Sequence, residues 1–176
     1  DLGSSLPGVP VAAAIAAAVA GGSGPEIILI GQTYDGRDAA GRLSAKLDKP
    51  VLTNLVGLEA GAPPVATSAI FGGNTVVQTT FTGAGPYIYL VRPKSFAAEA
   101  NGGTAAVSSL AVPDAGATNA AVLVERHVEE RSGPKLDEAA IVGSGGRGLG
   151  EAANYAMVEE LAKLLKGAPG AAGAIG

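Results

Sequence analysis

The residues best suited to chemistry stand in one short string, Gly143-Ser144-Gly145-Gly146-Arg147-Gly148. It matches G-x-G-x-x-G, in which glycines let the backbone approach a phosphate closely. Free N–H groups at a helix start favour an anion, and Arg147 adds a permanently charged, forked donor. Phosphate or nucleotide contact and a simple close-packed turn both remain open, because no acidic residue stands about twenty positions on to confirm the fingerprint. A P-loop is excluded, since Leu149-Gly150 occupies the places of its Lys and Ser/Thr. Ser144 does not read as a hydrolase nucleophile: Val142 stands where the nucleophile elbow needs glycine. Its base would have to be His127, the single histidine, which reads as a surface or packing residue.

Two charged groups carry a weaker signal. Glu125, Glu129, Glu130 and Arg131 read as a solvated linker, with partner binding as the alternative. Asp35, Arg37, Asp38 and Arg42 read as capping and ion-pair residues of a helix, with interface or nucleotide contact as the alternative.

Composition removes several function classes. The absence of cysteine excludes disulfides, thiol catalysis and Cys-based metal centres, and is compatible with a reducing cytoplasm. One histidine gives no basis for a His-based metal site. A net charge of −4 without a Lys/Arg cluster provides no electrostatic footprint for nucleic acid. Seven aromatic residues, three Phe and four Tyr, are too few for a single-strand stacking platform. Disorder is disfavoured by 47% hydrophobic residues and a mean hydropathy of +0.31. Residues 9–20 have the apolar length of a signal-peptide core but no basic residue before them, and are too short to span a bilayer.

The elements that must position the glycine string follow from periodicity and breakers. Residues 9–20 predict an Ala-filled helix that starts after Pro7, stops at Gly21-Gly22 and is buried against a sheet. Ile27–Gly31 predicts a central parallel strand covered on both faces. The next helix is predicted with Asp35 as its cap, Asp38 as a capping-box variant, an apolar face of Ala39, Leu43 and Leu47, and an Asp38–Arg42 pair. A strand begins at Val51. Extended segments are expected at 67–71, 75–82, 87–92, 105–112 and 121–128, forming an antiparallel extension joined by turns at Gly72-Gly73-Asn74 and Gly83-Ala84-Gly85-Pro86. Residues 126–135 mark a linker, Ala139–Val142 a new buried strand, Gly143–Gly150 a loop, and Glu151–Lys166 a helix. That helix is expected to bury Ala152, Tyr155, Leu161, Leu164 and Leu165. The fold class is therefore α/β: a parallel-core sheet with flanking helices and an antiparallel extension, then the first β-α unit of a second domain.

Taken together, Gln32-Thr33-Tyr34-Asp35-Gly36-Arg37-Asp38-Ala39-Ala40-Gly41-Arg42-Leu43, Ile70-Phe71-Gly72-Gly73-Asn74-Thr75, Arg92-Pro93-Lys94 and Ser144-Gly145-Gly146-Arg147-Gly148-Leu149 resemble the alpha subunit of electron transfer flavoprotein, in order and spacing along nearly the whole chain. The resemblance implies a bacterial cytoplasmic subunit of a heterodimer with a beta subunit. It would carry FAD, taking electrons from acyl-CoA dehydrogenases in fatty acid beta-oxidation and passing them to a membrane quinone oxidoreductase. Such a protein is a redox carrier rather than a turnover enzyme, binds no nucleic acid and is not membrane-embedded.

On the same resemblance, residues 1–132 are part of the N-terminal α/β domain and 133–176 the start of an FAD-binding, Rossmann-like domain, with both ends of the family chain lying outside this sequence. The implied cofactor contacts are Gly146, Arg147, Gly148 and Ala172. The family's Gly-Ala-Ser-Arg segment aligns with Gly170-Ala171-Ala172-Gly173, so the serine that touches FAD and the arginine over the flavin are here Ala172 and Gly173. The readings set against the carrier are a cofactor-free structural fragment and a simple adenine-nucleotide-binding module using the 143–150 loop.

Overall fold

The computed structural model describes residues 6–116, 120–125, 134, 136 and 139–172. The chain falls into two compact units, Asp1–Val124 and Glu125–Gly176.

The first unit opens with helix α1, Gly8–Ala20. Alanine loses no side-chain entropy in a helix, and the exit is a Schellman turn: Gly22 has φ 75°, and the Gly22 and Ser23 amides donate to the Val19 and Ala18 carbonyls. Strand β1 (Ile27–Gly31) leads into helix α2 (Tyr34–Leu47), followed by β2 (Val51–Glu59), β3 (Val65–Ile70), β4 (Thr75–Thr79) and β5 (Tyr87–Val91). The sheet order is β1-β5-β2-β3-β4. β5 lies parallel to both β1 and β2, whereas β2-β3 and β3-β4 are antiparallel. The protein is thus mixed α/β, with a five-stranded mixed sheet and flanking helices.

Side-chain alternation on β5 divides the core into two layers. Ile88 meets Ile28 of β1, Ala12 of α1 and Leu43 of α2 on the helix-covered face. Tyr89 points the other way, to Leu55 and Ala66, with Phe81 and Tyr87 around it. Phe81 stacks on Tyr87 and meets Tyr89 edge-on, both at 5.3 Å between centroids.

Several expectations are corrected here. The strand covered on both faces is β5, where Ile88, Tyr89 and Leu90 are all buried. β1 is parallel as expected but lies at the sheet's edge among the described residues, and Leu29 is 57% exposed. An apolar run is buried on two faces only where layers cover both: Ile28 packs with α1 and α2, whereas Leu29, on the opposite face, is left open among the described residues. β5 is not part of the antiparallel extension, which consists of β2, β3 and β4.

The cap of α2 is Thr33, whose Oγ1 accepts from the Gly36 amide at 3.0 Å. Asp35 lies inside the first turn, so the capping box with Asp38 is not formed. Thr33 is the residue with extended φ/ψ, as a cap requires. The Asp38–Arg42 pair does form, at 2.9 Å. Gly72 and Gly73 take positive φ in their turn; at residues 83–86 no positive φ occurs, and the Gly85–Pro86 bond is cis. Residues 105–112 are irregular and exposed, without a ladder partner. Of 121–128, only 121–125 are described, with a single bridge residue at Val122.

The second unit contains β6 (Val142–Gly146), helix α3 (Ala156–Leu164) and β7 (Ala168–Ala172), with 3-10 turns at Arg147–Leu149 and Ala152–Tyr155. β6 and β7 are parallel. Strand β7 was not legible, since Ala-Pro-Gly-Ala-Ala lacks the β-branched and aromatic residues of ordinary strands. Its ladder with β6 supplies what its side chains do not. Helix α3 leaves Leu161, Leu164 and Leu165 exposed among the described residues, and it is Ala162 that is buried. Val158 and Ala162 face Gly143.

Candidate functional site at the ends of the parallel strands

The glycine string is not a loop. Gly143 to Gly146 run inside β6, paired in sequence with Pro169, Gly170, Ala171 and Ala172 of β7. The chain leaves the strand only at Arg147, and α3 begins at Ala156 after two 3-10 turns. The expected strand at 139–142 is accordingly shifted: Ile141 and Val142 are partly exposed, at 43% and 46%. The tight strand-to-helix turn of a dinucleotide fingerprint is therefore absent. Hydrogen bonding of the backbone to β7 outweighs the turn-forming tendency of the glycines.

The close-packing reading is realised at Gly145. A Cβ there would overlap Leu149 Cδ1 and stand 3.1 Å from Val158 Cγ2 and 3.3 Å from Tyr155 Cδ2. Gly145 is buried because the turn that follows folds back over it. Gly148, by contrast, has no atom within 4 Å of where its Cβ would be. The string thus has one packed glycine and one open one.

The four residues marked by resemblance come together. Gly146 and Ala172 are the final register pair of β6 and β7, and Arg147 and Gly148 follow directly. All four lie at the carboxyl ends of two parallel strands, the position at which ligands bind in open α/β sheets. Arg147 is exposed, and the one ion pair among the described residues is Asp38–Arg42, so its guanidinium is uncommitted.

The turn that carries Arg147 is built from backbone bonds and one side chain. The Gly150 amide donates to the Arg147 carbonyl at 3.1 Å, and the Glu151 amide to the Leu149 carbonyl at 3.0 Å. Asn154 Nδ2 donates to that same Leu149 carbonyl at 2.7 Å. The sequence marks Leu149 only as part of the glycine string and does not mark Asn154, because their role appears only once the turn has folded back.

The other candidates are dispersed. Ser144 is exposed within β6, and His127, Glu129, Glu130 and Arg131 lie outside the described residues. Asp35, Arg37, Asp38 and Arg42 lie on α2 in the first unit, where Asp38 and Arg42 serve each other. A groove of about 370 Å³ in that unit is lined by Lys49, Leu52, Phe81 and Tyr87 among others. It contains none of the predicted site residues. Among the described residues no cluster of His, Cys, Asp or Glu could hold a metal ion, and no helix is long and apolar enough to cross a membrane.

Comparison with known proteins identifies the family. The chain is 38% identical over 160 residues to the electron transfer flavoprotein subunit alpha of Mycobacterium leprae, covering 89% of this chain and 48% of that one. It is 36% identical over 157 residues to the Mycobacterium tuberculosis protein of the same name, with the same coverages. To that of Syntrophomonas wolfei it is 35% identical over 150 residues, covering 83% of this chain and 46% of that one. It spans about half the length of these relatives. Residues 6–115 match the family model of the electron transfer flavoprotein domain, and the chain belongs to that family.

Proposed function

We propose that this chain serves in an FAD-dependent electron carrier as alpha-type subunit, with the cofactor meeting it at Gly146, Arg147, Gly148 and Ala172. The observation that supports this reading is the convergence of all four at the carboxyl ends of β6 and β7. Arg147 and Gly148 fit the group, as an exposed cation with forked donors for a phosphate or a reduced flavin and as a position with room for close approach, whereas Ala172, in place of the family's serine, offers it only backbone. FAD supplies the uptake and release of electrons. The chain itself binds, orients and offsets negative charge.

In this reading residues 1–132 belong to the N-terminal domain and 133–176 begin the FAD-binding domain. A beta subunit completes the carrier, acyl-CoA dehydrogenases donate electrons, and a membrane quinone oxidoreductase accepts them, in the bacterial cytoplasm. The carrier turns over no substrate of its own. Family membership and the relatives' printed name, subunit alpha, support the carrier role and the partner subunit; the donor, the acceptor and the compartment rest on the family resemblance alone.

The test is an absorption spectrum of the chain co-expressed with its beta subunit, before and after denaturation. Flavin bands released on unfolding, and weakened in R147A, are expected. A colourless complex of correct mass overturns the reading.

A further inference from the structure

We propose that Asn154 is a positioning residue that fixes Arg147 for its anionic ligand by clamping the turn between them. The inference rests on the flavin reading above and adds a residue to it. A three-residue 3-10 turn has poor hydrogen-bond geometry and little stability of its own. This one is held from two sides through Leu149. The Leu149 side chain is seated over Gly145, beside Tyr155 and Val158. Its carbonyl receives two donors, the Glu151 amide at 3.0 Å and Asn154 Nδ2 at 2.7 Å.

Asn154 is itself fixed by the chain, because its backbone amide donates to the Glu151 carbonyl at 3.1 Å. The clamp therefore closes a short ring from Leu149 through Glu151 to Asn154. Arg147 is two residues from the clamped carbonyl, and the Gly150 amide ties the Arg147 carbonyl into the same turn. A long, rotamer-rich side chain binds an anion with less loss of freedom when its backbone is already held. Asn154 is exposed, so burial gives it no other evident work. Its amide oxygen could not serve here, since a carbonyl must be met by a donor.

The experiment uses the complex of this chain with its beta subunit, freed of FAD and titrated with FAD while flavin fluorescence is followed. Wild type, R147A, N154A, N154Q and R147A/N154A are compared. N154A is expected to raise the Kd about five-fold through loss of one charge-free hydrogen bond and the order it imposes. N154Q, which keeps an amide donor, recovers part of that loss. Because the clamp acts only through Arg147, the double variant binds as weakly as R147A and no weaker.

Amide hydrogen exchange at Gly150 and Glu151 rises in N154A while the melting temperature is unchanged. An N154A complex with wild-type Kd, independent losses that multiply in the double variant, or unaltered exchange overturns the clamp. A wild-type complex that takes up no FAD removes the flavin reading and the clamp with it.

Discussion

Tyr89, fully buried in β5, donates its hydroxyl to the Pro64 carbonyl at 2.8 Å, across 25 positions of sequence. The bond ties the connection between β2 and β3 to the middle of the sheet. Y89F removes the donor and leaves the Pro64 carbonyl only the longer bond from Thr80 Oγ1, at 3.5 Å, and is expected to cost about 1 kcal/mol. Urea unfolding followed by far-ultraviolet circular dichroism measures it, and an unchanged midpoint rejects the assignment.

The same residue sets an alkaline limit. Burial, and then the neighbouring Tyr87, raise the pKa of Tyr89 above the ordinary 10.0. The folded state therefore holds this proton more tightly than the unfolded chain does. Its contribution to stability is complete below pH 10.0 and is lost as pH rises through the folded value. A series of melting curves from neutral pH upward should show a decline in wild type that is reduced in Y89F.

Capping of α2 separates two neighbouring residues. T33A removes the acceptor for the Gly36 amide and is expected to cost about 1 kcal/mol. D35A loses only a charge in the first turn, worth about 0.3–1 kcal/mol at low ionic strength and less in salt. Denaturation at two salt concentrations distinguishes them: the Thr33 effect persists in high salt, whereas the Asp35 effect fades.

Two glycines of α2 respond to alanine with opposite sign. At Gly36 a Cβ would overlap the Gly31 carbonyl oxygen, a backbone atom that cannot swing aside. G36A is expected to destabilise by about 1–3 kcal/mol. At Gly41 nothing lies within 4 Å of the added carbon. G41A therefore gains helix propensity, by about 0.5–1 kcal/mol. Melting temperatures of the two variants should fall on either side of wild type.

In the second unit, G145A pushes on Leu149, Val158 and Tyr155 at once. Overpacking of about 1–2 kcal/mol is expected, with increased exchange of the amides that follow Arg147. Equal exchange in G145A and wild type would mean that Leu149 is not seated there.

Where the chain's own local chemistry dominates, the sequence sufficed. Alanine content and the Gly21-Gly22 stop determined α1, the 3.6-residue spacing of Ala39 and Leu43 determined the buried face of α2, and the i,i+4 spacing determined the Asp38–Arg42 pair. Motif and resemblance also marked Gly146, Arg147, Gly148 and Ala172 as the candidate site. Strand order was not legible. β5 inserts between β1 and β2, and this placement, which no local propensity encodes, made β5 rather than β1 the strand covered on both faces.

The same holds at the candidate site. Glycine conveys little about whether a segment is loop or strand, because it has no Cβ to favour either. Only the ladder with β7 decided that Gly143–Gly146 is a strand, and only the fold-back of Leu149 onto Gly145 brought Asn154 to the turn that carries Arg147. Residue types were written in the sequence; partners distant along the chain were selected by backbone hydrogen bonding and packing, which exist only in the folded molecule.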